Sequence, residues 1–212
     1  MAGFESRIAL VAALVAGAAA LSACAPLVVA GVAAAGTTAV VTDRRTAGTQ
    51  VDDQSIQLRV SSELSTALGK QPVHINVNSF NRRVLLTGEV PDEQAKTQAG
   101  EVAARSRDVR MVVNELAIAP PSSIGDRTND TGLTTKVRAS FVNTKEVAFN
   151  SIEIVTERRT VYLLGIVTQR EADIAALVAS KVSGVQQVVK VFEIVEPSAI
   201  TPPPAGSPAP PK

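Results

Sequence analysis

The chain repeats itself, and the repeat limits what it can fold into. Shifted by 77 residues, Asp53 falls on Asp130, Val60 on Val137, Ile75 on Ile152 and Arg82 on Arg159. Val84, Leu86, Gly88, Val90 and Ala95 fall on Val161, Leu163, Gly165, Val167 and Ala172 without a gap. With one residue deleted from the second copy, Val109, Val112, Val113 and Ile118 fall on Val185, Val188, Val189 and Ile194. Two copies are too few for a solenoid, so they read as a tandem pair of small domains.

Both copies predict the same order of elements. In the first, Asp53 reads as an N-cap, and Ile56, Val60 and Leu64 recur on one helical face. Residues 73–78 alternate as a strand, 80–83 are turn-like, and 84–90 form a more continuously apolar strand. Pro91-Asp92-Glu93 opens a second helix, with Ala95, Ala99, Val102 and Ala103 on its inner face, and a last strand spans 109–118. The second copy predicts a helix from Asp130, strands near 151–156 and 160–167, a helix over 169–182 and a strand over 185–195. The fold class is α+β. Each copy is αββαβ, a hairpin and a parallel crossover strand forming a three-stranded mixed sheet with two helices on one face. Gly88 and Gly165, inside strands, read as structural glycines where the crossover helix comes too close for a Cβ.

Ahead of the repeat, Arg7 precedes an apolar run from Ile8 to Ala20, and Leu21-Ser22-Ala23 leads into Cys24, the only cysteine. This is the layout of a secretory signal, and small residues directly before a cysteine resemble a lipobox. The expectation is a signal peptide over 1–23 and diacylglyceryl attachment at Cys24. A single cysteine can form no intrachain disulfide, so the core must hold the fold. Residues 25–42, rich in Ala, Val, Gly and Thr, read as a tether near the membrane rather than a span. Together 24–50 form the lipidated N-terminus and tether, 51–120 the first domain, 121–129 a linker and 130–196 the second domain. Residues 197–212 hold seven prolines and read as a disordered tail. Ala25 follows the cysteine where an Asp commonly retains lipoproteins in the inner membrane, so the expected location is the outer membrane, periplasmic face.

The motifs Val84-Leu85-Leu86-Thr87-Gly88-Glu89-Val90, Val161-Tyr162-Leu163-Leu164-Gly165-Ile166-Val167 and Val185-Gln186-Gln187-Val188-Val189 resemble the BON domain. Two copies behind a lipobox resemble the dual BON-domain lipoproteins of Gram-negative outer membranes. Residues 48–53, 129–131, 134–138 and 182–185 extend the match beyond the core. The resemblance implies a non-enzymatic protein that supports outer-membrane integrity. Such relatives bind anionic phospholipid through the second BON domain, chiefly its first helix, and gather at the division site. They are linked to the β-barrel assembly machinery and to septal peptidoglycan remodelling. Where the family carries an aromatic residue after the Asp-Thr pair, this chain has Gly132, which weakens any claim of deep insertion.

The residues themselves offer little for catalysis. Net charge is +1, giving no global footprint for nucleic acid. The lone histidine, His74, reads as solvated surface. There is no second His or Cys for a metal site, no nucleophile–base pairing and no Gly-rich phosphate loop. No cofactor is expected, and the carboxylates read as scattered among opposing charges. The first helix of the second copy is more informative. Beside its core stripe of Leu133, Val137 and Phe141 runs a second stripe of Gly132, Thr135, Ala139 and Val142, flanked by Lys136 and Arg138. The first copy has Ser55, Leu58, Ser62 and Ser65 at the stripe's positions. A smooth apolar strip with basic neighbours suits an anionic membrane surface. The alternatives are that it packs against the first domain, or that the domains are adaptors docking an envelope machine.

Overall fold

The computed structural model describes residues 43–200. Domain 1 runs α1 (Ala47–Leu68), β1 (His74–Phe80), β2 (Arg83–Val90), α2 (Glu93–Arg105), β3 (Met111–Asn114) and β4 (Ala117–Ile118). Domain 2 runs α3 (Ile124–Val142), a 3-10 turn (Phe149–Ser151), β5 (Ile152–Glu157), β6 (Thr160–Val167), α4 (Gln169–Ser180) and β7 (Gln187–Ile194). A one-turn helix, α5 (Pro197–Ile200), follows.

Each domain is the expected αββαβ unit. β1 pairs antiparallel with β2, and β2 pairs parallel with β3 and then β4. β5, β6 and β7 repeat this arrangement. The first copy's last strand breaks in two just after Asn114, the last residue of β3 paired to β2. Its amide donates to the Lys96 carbonyl and its Oδ1 accepts from Leu116 N–H, which swings Leu116 into the core.

One face of each sheet carries the helices. Ile56, Val60, Leu64 and Leu68 of α1 and Ala95, Ala99 and Ala103 of α2 close over Val77, Val84, Leu86 and Val90. Val137 and Phe141 of α3 and Ala172, Ala175 and Ala179 of α4 close over Ile152, Ile154, Val161, Leu163 and Val167. The alanines let the crossover helices sit close to the sheets.

The opposite, helix-free faces meet each other. Phe80 and Leu85 of domain 1 pack with Tyr162, Leu164 and Val191 of domain 2. Central strands β2 and β6 are therefore covered on both sides, which is why they read as continuous apolar runs. A polar rim surrounds this contact. Asn76 Nδ2 donates to Glu157 (2.7 Å), Asn81 Nδ2 to Glu193 (2.7 Å) and Arg83 Nη1 to the Phe192 carbonyl (2.9 Å).

Several local expectations are corrected. Asp53 is not an N-cap, and α3 does not begin at Asp130. The caps are Thr46 and Ser123, the latter in a capping box with Asp126, so α1 and α3 start well upstream and α3 takes up much of the expected linker. Asp53 and Asp130 are buried in mid-helix and hold the hairpin turns. Asn81 and Arg82 have φ of 50° and 63°, Arg158 and Arg159 of 51° and 59°, the left-handed pair that a two-residue hairpin needs. Asn-Gly is the usual choice there. Here the N–H groups of Asn81 and Arg82 donate to Asp53, and those of Arg158 and Arg159 to Asp130, at 2.7–3.0 Å. Pro91 lies just before the N-cap Asp92 of α2 rather than in its first turn. The Pro-rich tail is not wholly without helix, since Pro197 starts α5, where its missing N–H costs nothing. Residues 201–212 lie outside the described residues.

The glycines are also corrected. A Cβ on Gly88 would stand 2.1 Å from the His74 carbonyl oxygen, and one on Gly165 would stand 2.6 Å from that of Ser151. The obstacle is the chain just before or opening the partner strand of the hairpin, not the crossover helix. Gly88 also has φ +111°, which only glycine adopts without strain.

Candidate functional site

Cys24 and the tether up to residue 42 lie outside the described residues. Where the chain enters the folded body, Asp43, Arg44 and Arg45 join the two domains. Arg44 donates to the Ile166 carbonyl (2.8 Å) and makes a bidentate pair with Glu171 (2.8 and 2.9 Å) in domain 2. Arg45 turns to domain 1, pairing with Asp53 (3.0 Å) and Asp43 (2.8 Å), with its guanidinium 3.8 Å from the Phe80 ring centroid. The Arg44 fork, reinforced by hydrogen bonds from Thr168, outweighs burial and holds the Glu171 carboxyl down at about 2.

α3 presents the predicted strip to solvent. Gly132, Thr135, Lys136, Arg138, Ala139 and Val142 are all exposed, while Leu133, Val137 and Phe141 are buried below them. A Cβ on Gly132 would meet nothing within 4 Å. The strip does not pack against domain 1, since the domains meet through their sheets. At the C-terminal end of α3, Val142 is 55 % exposed and Phe149 of the 3-10 turn is 40 % exposed. Both line a shallow cleft with Arg138, Phe141, Ile152, Asp43 and Arg45. Phe149 was not singled out from the sequence, because it lies in an irregular stretch where no period points to a face. The strip therefore runs toward the place where the tether enters. Among the described residues no helix is long and apolar enough to cross a membrane.

The carboxylates are not all surface charges, and His74 is not simply solvated. The His74 side chain, 16 % exposed, places Nδ1 3.0 Å from Oε2 of Glu89, which is fully buried. Glu157 of domain 2, also buried, completes a group whose potential donor atoms lie within 4.8 Å of one another. Burial pushes Glu89 up, but hydrogen bonds from Ser122 and His74 more than reverse this and its carboxyl titrates below the usual range. For Glu157 burial prevails over the bond from Asn76, and its carboxyl titrates above the usual range.

Two mixed αββαβ layers, helices outside and sheets face to face, define a tandem α+β module whose exposed α3 face is its most distinctive surface. The BON domain family model matches residues 52–120 and 129–196, so the chain belongs to the BON-domain family. It is 38 % identical over 158 residues to the outer membrane lipoprotein DolP of Haemophilus influenzae, covering 74 % of this chain and 82 % of that one. It is 36 % identical over 155 residues to the 21 kDa hemolysin of Actinobacillus pleuropneumoniae, covering 73 % and 80 %. The solved C-terminal domain of CdsD, a structural protein of the type III secretion system of Chlamydia trachomatis, aligns at 12 % identity with a TM-score of 0.27, over 66 % of this chain and 99 % of that one. The family and the lipoprotein relative support an envelope-associated role.

Proposed function

We propose that this is an outer-membrane lipoprotein, anchored through Cys24, whose second domain binds anionic phospholipid and so supports envelope integrity, with concentration at the division site. The observation that carries the reading is the exposed α3 strip with Lys136 and Arg138, ending at Val142 and Phe149 beside the entering tether. Each basic residue near an anionic surface contributes about 1 kcal/mol. Two such charges bind weakly alone, so the acyl chains at Cys24 supply standing attachment and the domain biases orientation and position. With Gly132 on the strip, contact is at the headgroup level, and Val142 and Phe149 are the large apolar groups at its tether end. The competing role is a protein adaptor that docks the β-barrel assembly machinery or peptidoglycan-remodelling proteins through the same face.

The test is co-sedimentation of residues 43–212, which keep both domains and lack Cys24, with vesicles of phosphatidylglycerol or of phosphatidylcholine. Binding to the first and not the second, weakening with salt, supports the reading. Equal or absent binding to both passes the face to the adaptor role. In cells, Cys24→Ser should remove the protein from the outer-membrane fraction. Retention there at the wild-type level would overturn the anchor assignment.

A further inference from the structure

We propose that His74, Glu89 and Glu157 form a binding site for a divalent transition cation of the zinc class, which would clamp the two domains together. Imidazole and carboxylates are ligands of that class. Donors around a four-coordinate ion at about 2.1 Å stand about 3.4 Å apart. His74 Nδ1 and Glu89 Oε2 are already 3.0 Å apart, and all three donors lie within 4.8 Å of one another, so small side-chain rotations close the set. Three protein ligands leave a fourth position for water. Calcium, which takes six to eight oxygens, is poorly served by two carboxylates and a nitrogen.

A second observation points to a cation. Glu89 has no solvent exposure, and its Oε1 accepts no hydrogen bond. A buried carboxylate oxygen left in that state is costly. Among the described residues, the one ion-pair contact of Glu89 Oε1 is with Nη1 of Arg158, 3.5 Å away on a half-exposed side chain, too long for a good hydrogen bond. One oxygen of each carboxylate is held in place. Ser122 N–H donates to Glu89 Oε2 (3.0 Å) and Asn76 Nδ2 to Glu157 Oε2 (2.7 Å). These outer partners orient the ligands as such partners do in metal sites. His74 and Glu89 belong to β1 and β2, and Glu157 ends β5, so the ion would bridge domains. It would neutralise two buried carboxylates that now face each other across that boundary.

The chain makes the test clean, because His74 is the only histidine and Cys24 the only cysteine. Residues 43–212, produced without a histidine tag, are titrated with Zn²⁺ by calorimetry, and the His74 ring is followed by NMR. The expected result is one ion per chain with a dissociation constant below about 100 µM. The His74 ring resonances should shift, and the melting temperature should rise with Zn²⁺. Glu157→Gln, which can keep the bond from Asn76, and His74→Asn should each weaken binding more than about tenfold, the cost of losing even an outer partner of a ligand. Arg158→Ala should tighten it by removing a competing charge. Unshifted His74 resonances, no uptake at that concentration, or binding indifferent to both ligand variants would each overturn the proposal.

Discussion

α1 and α3 occupy equivalent places in two copies of one fold, yet their outer faces differ. Inward, they are nearly interchangeable: Ile56, Val60 and Leu64 in one, Leu133, Val137 and Phe141 in the other, all buried. Both carry a buried Asp that holds a left-handed hairpin turn. Outward, α1 presents Ser55, Ser62 and Ser65 around Leu58, which is 74 % exposed, whereas α3 presents Gly132, Thr135 and Ala139 leading to Val142. The position of Lys136 is matched by Arg59, whose guanidinium is engaged by the Arg107 carbonyl, and that of Arg138 by Ser61. The packing face is constrained by the sheet beneath it and keeps its character in both copies. The outer face has no such constraint, so a difference there is where functional specialisation can reside.

The shared plan can be broken first at the glycines. Gly88→Val should destabilise by more than about 4 kcal/mol, because it combines a 2.1 Å overlap with a positive φ. Gly165→Val, with a 2.6 Å overlap alone, should cost less, and denaturant melts of the two variants would rank them. Equal costs, or melts like wild type, would remove the close-approach argument. The turn anchors come next. Asp53→Ala should cost about 3 kcal/mol and Asp130→Ala about 2, since Asp53 also accepts from Ser79 and pairs with Arg45. The reverse ranking would show that the extra partners add nothing. Arg44→Ala should cost about 1–2 kcal/mol and alter the response to acid. Glu171 is held at about 2 against an ordinary 4.5, so its contribution is present above pH 4.5 and lost as pH falls toward 2. In the variant that stretch of the stability–pH curve should be flatter. The smallest effect is expected from Phe149→Ser, which should weaken vesicle binding by about 1 kcal/mol and leave the melt unchanged, because the ring is already partly exposed.

What the sequence revealed follows what burial imposes on it. The repeat, the αββαβ order and the core stripes were legible because each buried position must be apolar. The continuous apolar runs at 84–90 and 161–167 even carry the sheet-to-sheet contact, though an apolar run alone does not say what covers its second face. The starts of α1 and α3 were not legible. Residues 124–129 are all exposed, so no apolar period marks them, and local capping by Ser123 sets the boundary. The role of Asp53 could not be seen either, since its partners Asn81 and Arg82 lie 28 and 29 residues away. For the same reason, His74, Glu89 and Glu157 looked like separate surface charges until the two sheets brought them together. On the α3 face, the sequence picked out six exposed residues, and Phe149 joins them only through the fold.

The central claim is that α3, not its counterpart α1, meets the anionic membrane. The most direct test compares two charge reversals in residues 43–212 on phosphatidylglycerol vesicles, Lys136→Glu with Arg138→Glu on α3, and Arg59→Glu on α1. The account predicts that the α3 pair abolishes most of the salt-sensitive binding without shifting the melt, and that the α1 change leaves binding near wild type. Equal losses from both reversals, or indifference to the α3 pair in a folded protein, would contradict it.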